Sequence, residues 1–224
     1  MAGVTAPGSY TARLLGRTRL SADTYQLDLD RPSDFRFDAG QGIRLSRGGL
    51  VREYTLVSGP ADPQLSLCVQ VVSGGRFSPL LAELSAGSSL SFSGPHGFFT
   101  FQDGPLPAVF VAAGTGIAPF VSMAKAGATG FTLLHGARTL RDLHYREALQ
   151  SVAGDYHGCI SRETAKRPGR AWVFKGRVTD FLRQRMPAGA FAFYACGRRE
   201  MIREAISIID ERFPDSRVFF EVFF

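Results

Sequence analysis

Pro107 to Phe120 reads PAVFVAAGTGIAPF, and the fold of the chain follows from how that stretch is taken. Ala108 to Ala113 is a short apolar run rich in Val and Phe, the pattern of a strand buried on both faces. Gly114-Thr115-Gly116 comes next, and a new apolar pattern opens at Ile117. A strand, a glycine turn and a helix start in that order bring backbone N–H groups to a helix N-terminus, where the macrodipole favours a phosphate. Glycine at 114 and 116 lets main chain approach an anion with no Cβ between them. Pro119 fits the first helical turn, where a missing N–H is no loss. It also stands where the GxGxxG of the common dinucleotide fold has its third glycine, so the stretch departs from that fingerprint. Alone, the stretch fits an ordinary strand–turn–helix as well as an anion cradle.

C-terminal to it the texture alternates. Strands are expected at Ala108–Ala113, Phe131–His135, Tyr156–Ser161, Phe191–Tyr194 and Arg217–Val222. Helices are expected at Ile117–Lys125, Asp142–Gln150, Val178–Arg185 and Arg198–Arg212, the last with Met201, Ile202, Ala205, Ile206 and Ile209 on one face. Such alternation predicts a parallel sheet covered on both sides, with its ligand at the C-terminal strand ends. N-terminal to Asp103-Gly104-Pro105 the pattern is β, with short strands at Tyr10–Arg19, Thr24–Leu29, Ile43–Ser46, Leu50–Ser58, Leu65–Val72, Leu90–Ser93 and Phe98–Phe101. Regular spacing and Gly/Pro turns predict a small barrel there. One helix interrupts it, with Ser78 as N-cap, Pro79 in the first position and Gly87 as the stop. The expected fold class is thus an antiparallel barrel over residues 1–104 followed by an α/β domain over 105–224.

At 224 residues and 45% hydrophobic, the chain has ample material for a core. No apolar run approaches the roughly 20 residues of a membrane span, and the N-terminus lacks a basic start and an apolar core, so a cytoplasmic protein without membrane contact is expected. Cys68, Cys159 and Cys196 are odd in number and far apart, which suits a reducing compartment and excludes a four-cysteine cluster held by this chain alone. The four histidines show no paired-ligand spacing, so no metal site is expected. Net charge is +6 but scattered, which points to an acidic protein or a polyanionic cofactor rather than nucleic acid.

Two further stretches bear on chemistry. In Arg52-Glu53-Tyr54-Thr55, Arg52 and Tyr54 share one strand face and Thr55 the other. A guanidinium beside an aromatic ring suits a diphosphate joined to a flat ring system, though a solvated Arg beside a half-buried Tyr reads the same. Gly74-Gly75-Arg76-Phe77-Ser78 offers a second anion site at a helix start, or a plain glycine-rich hairpin loop. His135 reads as structural and His96 as a turn residue.

In order, Arg52-Glu53-Tyr54-Thr55, Gly75-Arg76-Phe77-Ser78-Pro79, Gly114-Thr115-Gly116-Ile117-Ala118-Pro119, Cys196-Gly197 and Glu221-Val222-Phe223-Phe224 resemble the ferredoxin (flavodoxin)–NADP reductase family over nearly the whole chain. His135-Gly136-Ala137-Arg138 and Ser161-Arg162-Glu163-Thr164 are similar to its bacterial branch. The resemblance implies a six-stranded FAD-binding barrel, an NADP-binding α/β domain, and electron transfer to a ferredoxin or flavodoxin by a monomer. It implies that Arg52 contacts the FAD diphosphate, with Glu53 in the same motif, that Tyr54 packs on the isoalloxazine, and that Thr55 lies near flavin N5. Backbone at Gly75, Arg76, Phe77 and Ser78 binds the diphosphate, with Cys68, Val69, Gln70 and Val71 along the adjoining strand. Gly114, Thr115, Gly116, Ile117 and Pro119 cradle the nicotinamide nucleotide, and Cys196 and Gly197 border its reactive carbon.

By the same resemblance Arg138, Arg162 and Arg177 take the 2′-phosphate, with Ala137 and Ser161 also in the cofactor site. Their place near strand ends, with no acidic residue there to hold a bare ribose diol, also favours NADPH over NADH. Thr55, Cys196, Glu221 and Phe223 form the implied catalytic set, with Phe223 over the flavin face and Phe224 on the adenine. Relatives often end in Tyr-Trp, and Phe223 keeps the stacking but lacks the phenol. The other readings are a reductase component of an oxygenase, a ferric or flavin reductase, or a flavin-binding subunit without turnover.

Overall fold

The computed structural model describes residues 8–162 and 170–223. Its first half contains β1 (Gly8–Arg19), β2 (Thr24–Asp30), β3 (Gly42–Arg47), β4 (Leu50–Thr55), β5 (Gln64–Gln70), the short helix α1 (Ser78–Ala82) and β6 (Ser89–His96). The six strands form one antiparallel sheet in the order β4-β3-β6-β1-β2-β5. The sheet curls until its edges meet at a Leu56–Leu67 bridge, leaving the inward side chains to form a core. Strand alternation explains the lining: Ala12 and Leu14 of β1 point in while their neighbours are exposed. Leu27, Leu29, Ile43, Leu45, Leu67 and Phe92 join them in the same fully enclosed cluster.

The second half runs β7 (Ala108–Ala113), a 3-10 turn (Gly114–Ile117), α2 (Ala118–Lys125), β8 (Thr132–Ala137), α3 (Arg146–Gln150), β9 (Asp155–Ile160), β10 (Val173–Lys175), α4 (Val178–Gln184), β11 (Ala192–Arg198), α5 (Arg199–Arg212) and β12 (Arg217–Phe223). All six strands are parallel, ordered β10-β9-β8-β7-β11-β12. Both faces of β7 are buried, as its unbroken apolar run requires. Val109 and Val111 pack with Ile202, Ala205 and Ile209 of α5, and Phe110 and Ala112 with Phe120 of α2 and with Tyr194. The chain winds from β7 out to β10, then returns to β11 on the other side of β7. That reversal opens a crevice at the C-terminal ends of β7 and β11.

The halves share a core, since Val57, Cys68 and Phe99 lie in the same cluster as Phe110 and Tyr194. The buried Ser122 hydroxyl donates to the Ser58 carbonyl at 2.7 Å, and Lys125 meets Asp62 at 2.7 Å. That ion pair is half exposed and contributes at most about 1 kcal/mol, so apolar burial fixes the interface.

Several expected elements are corrected. Phe98–Phe101 forms no strand: Gly97 takes φ +94° and the segment crosses to the second half. There Phe99 packs edge-on against Phe120 and Phe101 against Phe110, which accounts for an apolar pattern that suggested a sheet. Leu90–Ser93 is part of the longer β6. The three-residue β10 was too short to be read from periodicity. Ser78 is not the N-cap of α1, which is Phe77; the Ser78 hydroxyl instead accepts the Val72 N–H at 3.0 Å, and the helix ends at Ala82 rather than near Gly87. Asp142 caps a separate 3-10 turn, Leu140–Asp142, and a left-handed Tyr145 (φ 59°) delays α3 to Arg146. Strands β4 and β5 stop at Thr55 and Gln70, short of Ser58 and Val72, and α2 begins at Ala118 after the 3-10 turn.

Candidate active site

At the crevice, the turn after β7 lies against the end of β11. A Cβ on Gly116 would stand 2.3 Å from the Cys196 carbonyl oxygen, so only glycine permits that approach. Gly114 is left-handed (φ 59°), and a Cβ there would meet only open space. Cys196 on β11 is in register with Glu221 on β12, and the thiol sits 3.9 Å from Oε2 of that carboxylate. Thr55, at the end of β4, completes the group: its hydroxyl donates to the same Oε2 at 3.0 Å. Three strands from both halves therefore converge on one carboxylate.

Burial raises the Glu221 pKa from 4.5 to about 7, against the hydrogen bond from Thr55; the charge of Glu53 raises it further and the Cys196 contact opposes. Burial and Glu221 push the Cys196 thiol well above its usual range, so it stays protonated and is no nucleophile. Because folding raises the Glu221 pKa, its contribution to stability is full below about pH 4.5 and is lost as pH rises through 7. Between pH 5 and 8 the wild-type protein should lose about 3 kcal/mol relative to Glu221→Gln. Parallel thermal or urea melts would measure it, and identical pH slopes would refute the shift.

The barrel face beside this group carries the other expected residues. Tyr54 is half buried, stacks on Phe77 with centroids 6.2 Å apart, and has its phenol pushed up to about 12 by burial. Arg52 is exposed and, among the described residues, bonds only the neighbouring Val51 carbonyl, at 2.7 Å, which leaves its outer edge available to an anion. Gly75 closes a turn onto the Val72 carbonyl, where a Cβ would lie 2.9 Å from that oxygen, and Arg76 and Phe77 follow at the start of α1. Val69 is buried in the barrel core and Cys68, on the other face of β5, in the core shared with the second half, so β5 can offer a ligand only main chain there. Gln70 and the Val71 amide are tied to Asp23.

Arg138, Arg162 and Arg177 follow β8, β9 and β10 along one sheet edge. The Arg162 amide donates to the Arg138 carbonyl at 2.9 Å and Ser161 to Ala137 at 3.1 Å, so the two loops move as one. Among the described residues none of these three guanidiniums is in an ion pair. Two carboxylates lie closer than the sequence suggested, and both are engaged: Asp180 accepts the Arg177 amide, and Asp23, held low against its burial by Gln70 and Thr24, also feels Arg138. Phe223 lies beside Arg198 in register and packs on the shared core, while Phe224, Glu163 and Thr164 fall outside the described residues. His135 is fully buried, bonds the Tyr156 hydroxyl at 2.9 Å, and is kept neutral by burial that lowers its pKa to about 3. His96 ends β6 and pairs with Ser93. Among the described residues no group of three or more His, Cys, Asp or Glu could hold a metal, and no helix is long and apolar enough to cross a membrane.

A curled antiparallel sheet is joined to a parallel one, with a glycine turn at the crevice and an arginine row along the C-terminal ends of the neighbouring strands. Residues 11–101 match the oxidoreductase FAD-binding domain and residues 110–206 the oxidoreductase NAD-binding domain. The chain is 35% identical over 214 residues to ferredoxin–NADP reductase B of Sorangium cellulosum, covering 86% of this chain and 88% of that protein. It therefore belongs to the ferredoxin–NADP reductase family. A ferredoxin NADP+ reductase from Neisseria gonorrhoeae, solved with FAD and NADP, has the same fold (TM-score 0.83, 20% identity, 96% of this chain and 99% of that one). The reductase component of propane 2-monooxygenase from Rhodococcus jostii is 29% identical over 86% of this chain, which spans 57% of that relative's length. FAD and NADP(H) are the cofactors of this chain, and the glycine cradles and the arginines, which form no ion pair among the described residues, fit both.

Proposed function

We propose that this protein is an FAD-dependent ferredoxin or flavodoxin–NADP+ reductase, with a barrel domain over residues 1–104 and a nucleotide domain over 105–224. The observation that carries the reading is the convergence of Thr55, Cys196 and Glu221 where the two halves meet. Bound FAD supplies the hydride exchange with the nicotinamide and the one-electron chemistry with a carrier. The protein's part is to hold two flat rings in contact and exclude water.

In this reading Arg52 and the amides of Gly75 to Ser78 bind the FAD diphosphate, with Glu53 beside them. Tyr54 flanks the ring, and main chain from Cys68 to Val71 lines it. Gly114 to Pro119 receive the nicotinamide nucleotide, and Cys196 and Gly197 lie along its ring with the thiol as a neutral, compact wall. Thr55 and Glu221 hold a proton at the flavin edge, a role matched to a carboxyl that titrates near neutrality. Ala137, Arg138, Ser161, Arg162 and Arg177 take the 2′-phosphate. Phe223 and Phe224 cover the flavin face and the adenine.

The nicotinamide must displace Phe223 to reach the flavin. Phe223→Ala should therefore tighten NADP+ binding about tenfold and slow turnover through delayed product release. Stopped-flow kinetics with binding titrations measure both, and unchanged values would remove the gate. Three buried free cysteines suit a reducing, cytoplasmic compartment, and the reading takes the protein as a monomer whose net charge of +6 steers an acidic carrier to it.

Anaerobic addition of NADPH to the FAD-loaded protein should bleach the flavin band, after which a ferredoxin or flavodoxin should restore it. A yellow protein that NADPH fails to bleach would support a binding subunit without turnover. The similarity to a monooxygenase reductase component supports a second reading, a reductase serving an oxygenase. Reoxidation by an oxygenase iron–sulfur component but not by free ferredoxin or flavodoxin would select it.

A further inference from the structure

Gln41 uses all four of its polar groups. Its amide N–H donates to the Asp38 carbonyl and its Oε1 accepts the Asp38 N–H, at 3.0 and 2.7 Å, which locks the residue in place. Its carbonyl then accepts the N–H of Leu56, the residue after Thr55, at 3.0 Å, and its Nε2 donates to the Gly97 carbonyl at 3.0 Å. Gly97 is left-handed at φ +94°, and the one atom that a Cβ there would approach is Oε1 of Glu221, at 3.6 Å. Thr55 thus holds Oε2 of Glu221, the Gly97 turn passes beside Oε1 with no side chain between them, and a single residue ties these two backbone segments together.

We propose that Gln41 is a positioning residue, which holds the end of β4 and the Gly97 turn as the two jaws that seat the Glu221 carboxylate. It touches neither cofactor site and acts through those two backbone segments. The proposal deepens the reading of Glu221 given above and rests on that reading only for its consequence in turnover.

Loss of the Gln41 bond to Gly97 opens the seat to water, which favours the ionised carboxylate. The other charged or titratable groups on the elements around Glu221 are Arg52, Glu53 and Tyr54 on β4, His96 at the end of β6, Tyr194, Cys196 and Arg198 on β11, and Arg217 on β12 itself. None of these is altered by replacing Gln41, so a change in titration reports the seat. Gln41→Met keeps length and neutrality and removes both side-chain bonds.

The test follows the protonated-acid C=O stretch of the FAD-loaded protein by infrared difference spectroscopy from pH 4 to 9, assigned by its loss in Glu221→Gln. In Gln41→Met the Glu221 titration should move down by about one pH unit. The pH profile of flavin reduction by NADPH should move with it. Flavin content and melting temperature on the same samples show whether the fold survives. If Gln41→Met does not retain FAD, Gln41→Asn, an amide one methylene too short to reach both partners, is read instead. A Glu221 titration unmoved in the folded variant, even with a lower melting point, would reduce Gln41 to a structural brace and overturn the proposal. A Glu221→Gln enzyme with the wild-type pH profile would instead remove the proton-holding role of Glu221, leaving the infrared result to judge the seat.

Discussion

Gly116→Ala should lower kcat/KM for NADPH about a hundredfold and cost about 3 kcal/mol of stability. The added methyl would sit 2.3 Å from the Cys196 carbonyl oxygen and 2.6 Å from its carbon, distances at which backbone, not a flexible side chain, must move. Gly116 does not have a positive φ, so the constraint is contact and not conformation. The turn can relieve it only by backing away from β11, which displaces the surface proposed for the nicotinamide and separates it from Thr55 and Glu221. A displacement near 1 Å is enough to cost two orders of magnitude when a reaction depends on two rings in contact. Gly114→Ala is the informative partner, since its Cβ meets open space and its penalty is only the left-handed φ, about 1–2 kcal/mol. FAD content should survive both substitutions, because the diphosphate and ring surfaces proposed for the flavin lie mainly on the other half. A Gly116→Ala enzyme with wild-type melting temperature and wild-type kcat/KM would show that the turn has slack and that the close approach is incidental.

That approach was foreshadowed by one feature, a glycine repeat after an apolar run, because local chemistry decides it. The run from Ala108 to Ala113 announces burial on both faces, and Val109 and Phe110 do face opposite clusters. That the second sheet is parallel, and that Arg138 and Arg162 stand at strand ends, was legible for the same reason, whereas its strand order and the short β10 ahead of Arg177 were not. What could not be read locally is the meeting of Thr55 with Glu221, 166 residues apart, which only the closure of one half on the other creates. Resemblance to a family put those residues together; periodicity could not. Phe98–Phe101 misled because Phe99 and Phe101, two residues apart, show that side chains are buried but not by what; the second half receives both, while Phe98 stays exposed. Gln41 escaped notice for a related cause. Its work is done by four hydrogen bonds, two of them to segments 15 and 56 residues away, and an amide side chain in a turn carries no pattern.

Arg162→Ala should reduce kcat/KM for NADPH about a hundredfold and leave NADH within about twofold. The difference between the two nucleotides is a phosphate dianion, and Arg162 stands with Arg138 and Arg177 after three adjacent strands, where no described carboxylate neutralises them in an ion pair. Charge-assisted, bidentate bonds to such a group are each worth about 1.5–3 kcal/mol, so losing one guanidinium yields the stated fold-change. Arg138 and Arg162 are joined through the bond from the Arg162 amide to the Arg138 carbonyl, so Arg138→Ala/Arg162→Ala should fall short of the summed single effects. Asp23 gives a third handle. Its carboxylate is held by Gln70 and Thr24 and feels Arg138, so it competes with the phosphate for that guanidinium. Asp23→Asn should then strengthen NADPH binding while NADH stays unchanged. The ratio of kcat/KM for the two nucleotides, measured at two ionic strengths, separates these effects, because only the NADPH value should weaken as salt screens the arginines. Equal losses with NADPH and NADH in Arg162→Ala would mean that the side chain supports the loop rather than reads the phosphate, and the preference for NADPH would need another source.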